Sequence, residues 1–277
     1  MRVGIGLPNG VPGTEAALLL EWARRADGGP FTSLGVIDRV AYDSHEPMVT
    51  LAAAAAVTAH VRLVTMVVIG PLRSTSLLAK QATLVDALSG GRLVLGLAVG
   101  AREEDYEAAG VDPRDRGLRL DEQLDDLRAG WGEASEGKGG PDLLVGGTTD
   151  RAFARMARYA DGYVHGGGPP RAFARAADRA LAAWEDLRRP GRPQLWGQSY
   201  FALGEEVGDR AMAFMRDYYA FAGPFAEKIA EGLLTTPQEI AGQVRGYAEA
   251  GCDELVLLPA VSRPDQVERL TEVVGAL

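Results

Sequence analysis

Cysteine is almost absent from this chain of 277 residues, where Cys252 stands alone. A single cysteine excludes an internal disulfide framework, and without a Cys/His cluster it also excludes a structural zinc site. A reducing compartment is the simpler setting, and a cytoplasmic location is expected. Long apolar runs are missing too. None approaches the roughly 20 residues needed to cross a bilayer, and the alanine-rich stretch from Thr50 to Ala59 reads as a tightly packed helix. The chain opens on a strand pattern, so no signal peptide is expected. Basic stripes are lacking as well: the formal net charge is −9, which argues against nucleic acid as a partner and leaves room only for a small positive pocket for phosphate. Lysines are few and none sits at a strand end, so a Schiff-base aldolase or related isomerase has no base to use. No Gly-x-Ser-x-Gly elbow appears, which leaves hydrolase chemistry without support.

What is present is an apolar fraction of 47%, enough for a large core, and an alternation of short apolar strands with longer amphipathic helices. Predicted strands run over Arg2–Leu7, Ser33–Asp38, Val61–Val68, Leu93–Val99, Asp142–Gly147, Gly162–His165, Gln194–Leu203 and Glu254–Pro259. Between them Thr14 is expected to cap a helix whose Leu18, Leu19, Trp22, Ala23 and Ala26 share a face, and Pro47 opens a helix reaching His60. A third helix carries Leu77, Leu78, Leu84, Val85 and Leu88 at helical spacing and stops at Ser89-Gly90-Gly91. A charged helix spans Arg114–Trp131, a flexible break covers Glu133–Pro141, and a long helix is expected after the strand near 194–203. Eight βα units in one domain, residues 1–277, are the inventory of an α/β protein with a single (β/α)8 TIM-type barrel. A doubly wound open sheet uses the same alternation and is the alternative.

In a barrel, chemistry sits where strands hand over to the following loops. Val145-Gly146-Gly147-Thr148-Thr149 places bare glycine amides and hydroxyls between a strand and a helix start, which suits a phosphate; a plain tight turn is the other reading. His165-Gly166-Gly167-Gly168 comes one unit later on the same rim, either as a second ligand contact or as a hinge. Asp38 closes a strand at the mouth with Arg39 beside it, as an acid or base or as half of a structural ion pair. Arg73 is expected to reach an anion there. His45, His60 and His165 have no metal-ligand spacing, and Glu103, Glu104 and Asp105 read as solvated loop charges, so no metal is assigned.

Pro71, Ala79-Lys80-Gln81, Ala82-Thr83-Leu84, Asp86, Leu88-Ser89, Gly91-Arg92 and Leu95-Gly96-Leu97 together resemble the third-helix signature of the luciferase-like monooxygenase superfamily. Asp38, Arg116 to Glu122 with Trp131, Val145-Gly146-Gly147, Ala160-Asp161-Gly162 and Tyr247 with Ala250-Gly251 extend the resemblance along the chain. It implies FMN or coenzyme F420 at the C-terminal mouth, with Gly146, Gly147 and Thr148 on the phosphate loop and Gly100, Gly166 and Gly167 alongside. It also implies a non-proline cis peptide within Thr65-Met66-Val67 facing the ring, and Asp38 and Arg39 as the groups that position substrate or relay a proton. A small organic substrate, a homodimer and, for an FMN enzyme, a separate flavin reductase follow from the same likeness. A non-catalytic flavin-binding protein on this barrel is the alternative. Three positions depart from the pattern: Arg39 stands where many relatives have histidine, Val99 replaces an arginine of some FMN enzymes, and the loop after the sixth strand lacks a lysine of some F420 enzymes. The short connection from Trp131 to Asp142 implies an open substrate side with no lid from that region.

Overall fold

The computed structural model describes residues 1–131 and 140–277. In chain order these form β1 (Arg2–Gly6), α1 (Ala16–Asp27), β2 (Ser33–Val36), α2 (Pro47–Ala55), β3 (Arg62–Thr65), β4 (Val68–Ile69), α3 (Thr75–Ser89), β5 (Leu93–Ala98), α4 (Glu103–Ala109) and α5 (Arg116–Trp131). The second half comprises β6 (Asp142–Gly146), α6 (Asp150–Tyr159), β7 (Gly162–His165), α7 (Pro170–Asp186), β8 (Gln194–Phe201), α8 (Gly208–Tyr218), α9 (Ala226–Ala230), α10 (Pro237–Glu249), β9 (Glu254–Pro259) and α11 (Asp265–Gly275). Every strand pairing is parallel, and the order β3-β2-β1-β9-β8-β7-β6-β5-β4 closes through β3–β5. β3 and β4 are two halves of one barrel strand, interrupted at Met66–Val67, whose peptide bond is cis. Counted so, the barrel has eight strands.

A closed parallel sheet buries both of its faces, which is why its strands are apolar throughout. In β7, Tyr163 packs outward among the helices and Val164 packs inside the barrel. The interior cluster does not stop at the strand ends: it continues upward into Phe214, Met215 and Tyr218 of α8, Ala230 at the end of α9 and Leu233 in the turn after it.

Several elements differ from expectation. α1 starts after Glu15 with no side-chain cap, because the Thr14 hydroxyl donates instead to the carbonyls of Pro8 and Val11. In α3 only part of the apolar set faces inward. Leu78, Ala82 and Val85 are buried, whereas Leu77, Leu84 and Leu88 are more than half exposed. At about 100° per residue, Leu77 and Leu84 form a separate stripe one position round the helix. Gly90 ends α3 with φ 69°, the left-handed cap its position requires. The expected long helix after β8 is broken into α8 and α9, because Gly223 (φ 56°) and Pro224 interrupt it. Glu103 to Asp105 open α4 instead of a loop, as three carboxylates in a first turn favour. Most of the break read over Glu133–Pro141 lies outside the described residues.

Candidate active site

The mouth of the barrel has two unlike sides. On the side of β2 and β4, Asn9 fixes the end of β2 by accepting from the Ile37 amide at 3.0 Å and donating to the Ile37 carbonyl at 2.7 Å. Beyond it the Asp38 carboxylate is wholly buried. It accepts from the Ile69 amide at 2.9 Å and from Arg73 at 2.8 Å, and Arg73 also reaches Glu46 at 2.6 Å. Burial pushes the Asp38 carboxyl above its ordinary value, while the Arg73 guanidinium and the Ile69 amide draw it back. Burial alone would lower Arg73, but Asp38 and Glu46 outweigh it and hold the guanidinium above its ordinary value. Arg73 is therefore committed to two carboxylates, in contrast to the expectation that it meets an anion.

Arg39 is not the partner of Asp38. It turns to α4, bonding Asp105 at 2.8 Å and Glu104 at 2.9 Å, and lies against the rings of Tyr42 and Tyr218. Asp105 is fully buried and accepts from the Val40 and Ala41 amides at 2.9 and 2.7 Å as well. Reading it as a solvated charge is corrected by this: the β2–α2 loop needs an acceptor, and the first turn of α4 supplies one.

On the side of β5 to β8 the mouth is lined by backbone. Thr65 is buried and stitched to Gly96 by two bonds of 2.8 Å, and Met66 is buried, while Val67, Ala98, Val99 and Gly100 are half-exposed. Gly147, at φ 136°, gives its carbonyl to the Tyr163 hydroxyl at 2.8 Å, and a Cβ there would lie 2.6 Å from that of Ala152. Thr148 is exposed, and Thr149 caps α6 by accepting from the Ala152 amide. The remaining first-turn amides of α6 have no intrahelical acceptor. Arg179, which sequence reasoning missed, donates to the Thr148 carbonyl at 2.7 Å and pairs with Asp150. This glycine turn, buried at Gly146 and opening to solvent from Gly147 to Thr149, with a helix start and a guanidinium beside it, fits an anionic cofactor tail.

The Gly166–Gly168 loop is exposed at Gly166, where a Cβ would meet nothing within 4 Å. It is no free hinge: Gln198 holds the Gly166 carbonyl at 3.1 Å, and Gln243 and Tyr247 both hold that of Gly168 at 2.9 Å. His165 points outward beneath it, with Nδ1 3.3 Å from the Tyr163 hydroxyl and Nε2 buried without a partner. Burial lowers its pKa, so the ring is neutral. Among the described residues, no group of three or more His, Cys, Asp or Glu side chains gathers to hold a metal.

The segment after β8 roofs the mouth, a role the sequence reading did not foresee. Tyr200, Phe214, Tyr218 and Tyr219 form one aromatic cluster. Arg102 donates to the Tyr218 carbonyl at 3.0 Å and lies 4.4 Å from the ring centroid of Tyr218 and 4.3 Å from that of Phe221. Two cavities flank α8: one of about 580 Å³ toward Gly166–Pro169 and β8, one of about 430 Å³ toward Tyr42 and the turn after β9. The adjacent tyrosines 218 and 219, followed by Phe221, were the available signal.

The chain matches the family model described as luciferase-like monooxygenase over residues 1–274. An uncharacterized protein of Mycobacterium tuberculosis is 32% identical over 214 residues, covering 63% of this chain and 73% of the relative. Monooxygenase RslO1 from Streptomyces bottropensis shares the fold with a TM-score of 0.76 at 19% identity, covering 100% of this chain and 98% of the other. An F420-dependent secondary alcohol dehydrogenase, solved with an F420-acetone adduct, shares it with a TM-score of 0.82 at 14% identity, over 99% and 98% of the two chains. No helix among the described residues is long and apolar enough to cross a membrane. The cis peptide at Met66–Val67, the glycine turn after β6 and the match over nearly the whole length agree, and the chain belongs to the luciferase-like monooxygenase family.

Proposed function

We propose that the protein, working as one barrel domain, is an oxidoreductase that holds FMN or coenzyme F420 in the backbone-lined half of its mouth and acts on a small organic substrate. The observation that carries this reading is the glycine turn at Gly146–Thr148, buried at Gly146, half-exposed at Gly147 and exposed at Thr148, which opens α6 beside Arg179 and follows the strand paired with the one that leads into Gly166–Gly168. The turn's glycines let the backbone come close to an anion, and the first turn of α6 favours its charge. Bound there, the cofactor supplies hydride transfer or oxygen activation. Gly100 and Val67 border the same space, while Thr65 and Met66, both buried, shape its wall. Asp38 and Arg39 serve as positioning residues: Asp38 holds the Ile69 amide just beyond Met66–Val67, and Arg39 ties the β2–α2 loop to α4.

The exposed stripe of Leu77, Leu84 and Leu88 with Val49 of α2 supports a homodimer through α2 and α3, to be read by light scattering. Should the cofactor be FMN, reduced flavin comes from a separate reductase. Absorbance titration of the purified protein with FMN and with F420 tests the central reading. Saturable binding of one is expected, and binding of neither overturns it. Single-turnover reoxidation of the reduced complex separates an enzyme from a flavin carrier: a substrate panel should accelerate it over buffer, and no acceleration favours the carrier.

A further inference from the structure

The cavity of about 430 Å³ between α8 and the turn after β9 shares no residue with the glycine loops or with the ion-paired wall of the mouth. Arg210, Ala213, Phe214 and Asp217 recur at helical spacing, so one face of α8 forms its side. Val11, Val207, Phe214 and Val261 give it apolar surface, and its size is that of a small-molecule pocket. The charged side chains that line it are Arg210, Asp217 and Arg263, and the last two are committed. Asp217 accepts from the Tyr42 hydroxyl at 2.5 Å, while Arg263 bonds Asp265 at 3.1 Å and lies 3.5 Å from Glu206. Arg210 pairs with no carboxylate among the described residues. Glu206, one turn before it, is engaged by Arg263 and, at 2.9 Å, by Arg269.

We propose that this cavity is a second ligand site, taking a monocarboxylate with a compact apolar body whose charged end meets Arg210 and whose body lies against Phe214 and Val261. A guanidinium presents parallel N–H donors that match the two oxygens of a carboxylate. An uncharged ligand leaves Arg210 without a counter-charge. A cationic one meets two arginines, and the lining carboxylate that could receive it, Asp217, is held by Tyr42. The Ser262 hydroxyl lines the same cavity and bonds no group among the described residues, which adds a donor for the ligand. No residue of this cavity belongs to the cofactor turn, so the site does not depend on the oxidoreductase reading.

Calorimetric titration of the full-length protein with phenylacetate, phenylacetamide and phenethylamine tests it without any cofactor. Because Arg210 is exposed, its ion pair gains only a modest amount, and phenylacetate is expected to bind about fivefold more tightly than phenylacetamide, which has the same body and no charge. Phenethylamine should not bind measurably. Arg210→Gln should bring phenylacetate down to the affinity of the amide and leave the amide unchanged; an exposed side chain without a partner can be replaced with little effect on the fold. Ala213→Trp, at an exposed position of α8, fills the cavity and should abolish binding of both. No saturable binding of phenylacetate, equal or tighter binding of the amide or the amine, or a phenylacetate affinity unmoved in either variant overturns the proposal. FMN and F420 titrations of the same samples keep the two readings apart: a cofactor that fails to bind while phenylacetate binds overturns the oxidoreductase reading alone.

Discussion

Around the barrel mouth, the side of β2 and β4 is rich in charge and has none to spare, whereas the side of β6 and β7 presents mostly backbone. Asp38, Arg73 and Glu46 satisfy one another, as do Arg39, Asp105 and Glu104. Opposite them, glycines at 147 and 166 to 168 leave the rim without side chains, with Arg179 as the cation beside the first of these. A buried charge is tolerated only when paired, so a dense charge cluster at a mouth builds the wall as readily as it reacts. The proposed function places binding where the side chains are small.

That contrast can be broken by substitution. Asp105→Ala leaves Arg39 buried against Tyr42 and Tyr218 with only the exposed Glu104, and strips the Val40 and Ala41 amides of their acceptor. A stability loss of about 3 kcal/mol or more is expected in denaturant unfolding. Gly147→Val acts on the other side: φ 136° and the Ala152 Cβ at 2.6 Å disfavour any side chain there. It should cost about 1–3 kcal/mol and reduce cofactor affinity at least tenfold by titration. Arg179→Ala removes only partly exposed contacts, so stability should change by less than about 1 kcal/mol while cofactor affinity falls several-fold. The smallest effect is a pH dependence. His165 has a folded pKa below its ordinary value, so between the two the unfolded chain binds the extra proton and stability falls as pH drops below about 6.5. His165→Gln should flatten the melting temperature between pH 7 and pH 5. An unchanged slope would show that His165 is not the group responsible.

The barrel was legible because apolar strands and amphipathic helices alternate eight times, and the glycine turn after β6 because glycine pairs at a strand end restrict what can follow. The pairing of charges was not. Neighbours in sequence suggested Asp38 with Arg39, yet the backbone beyond β2 sends the two side chains to different partners, Arg73 and Asp105, which lie 35 and 66 residues away along the chain. Local periodicity carries no information about such long-range partners. α3 misled for a related reason: two apolar stripes one residue apart read as one face until packing separates Leu78 from Leu77. The roof went unread because the run after β8 is helical in composition, and only Gly223 and Pro224 mark where it breaks over the mouth.

A crystal structure of the protein with the cofactor it binds tests the division of the mouth most directly. The anionic tail should lie within hydrogen-bond reach of the amides at 147 and 148, between that turn and Gly166–Gly168. A tail seated instead against Arg39 or Arg73, with their carboxylate pairs opened, would contradict it.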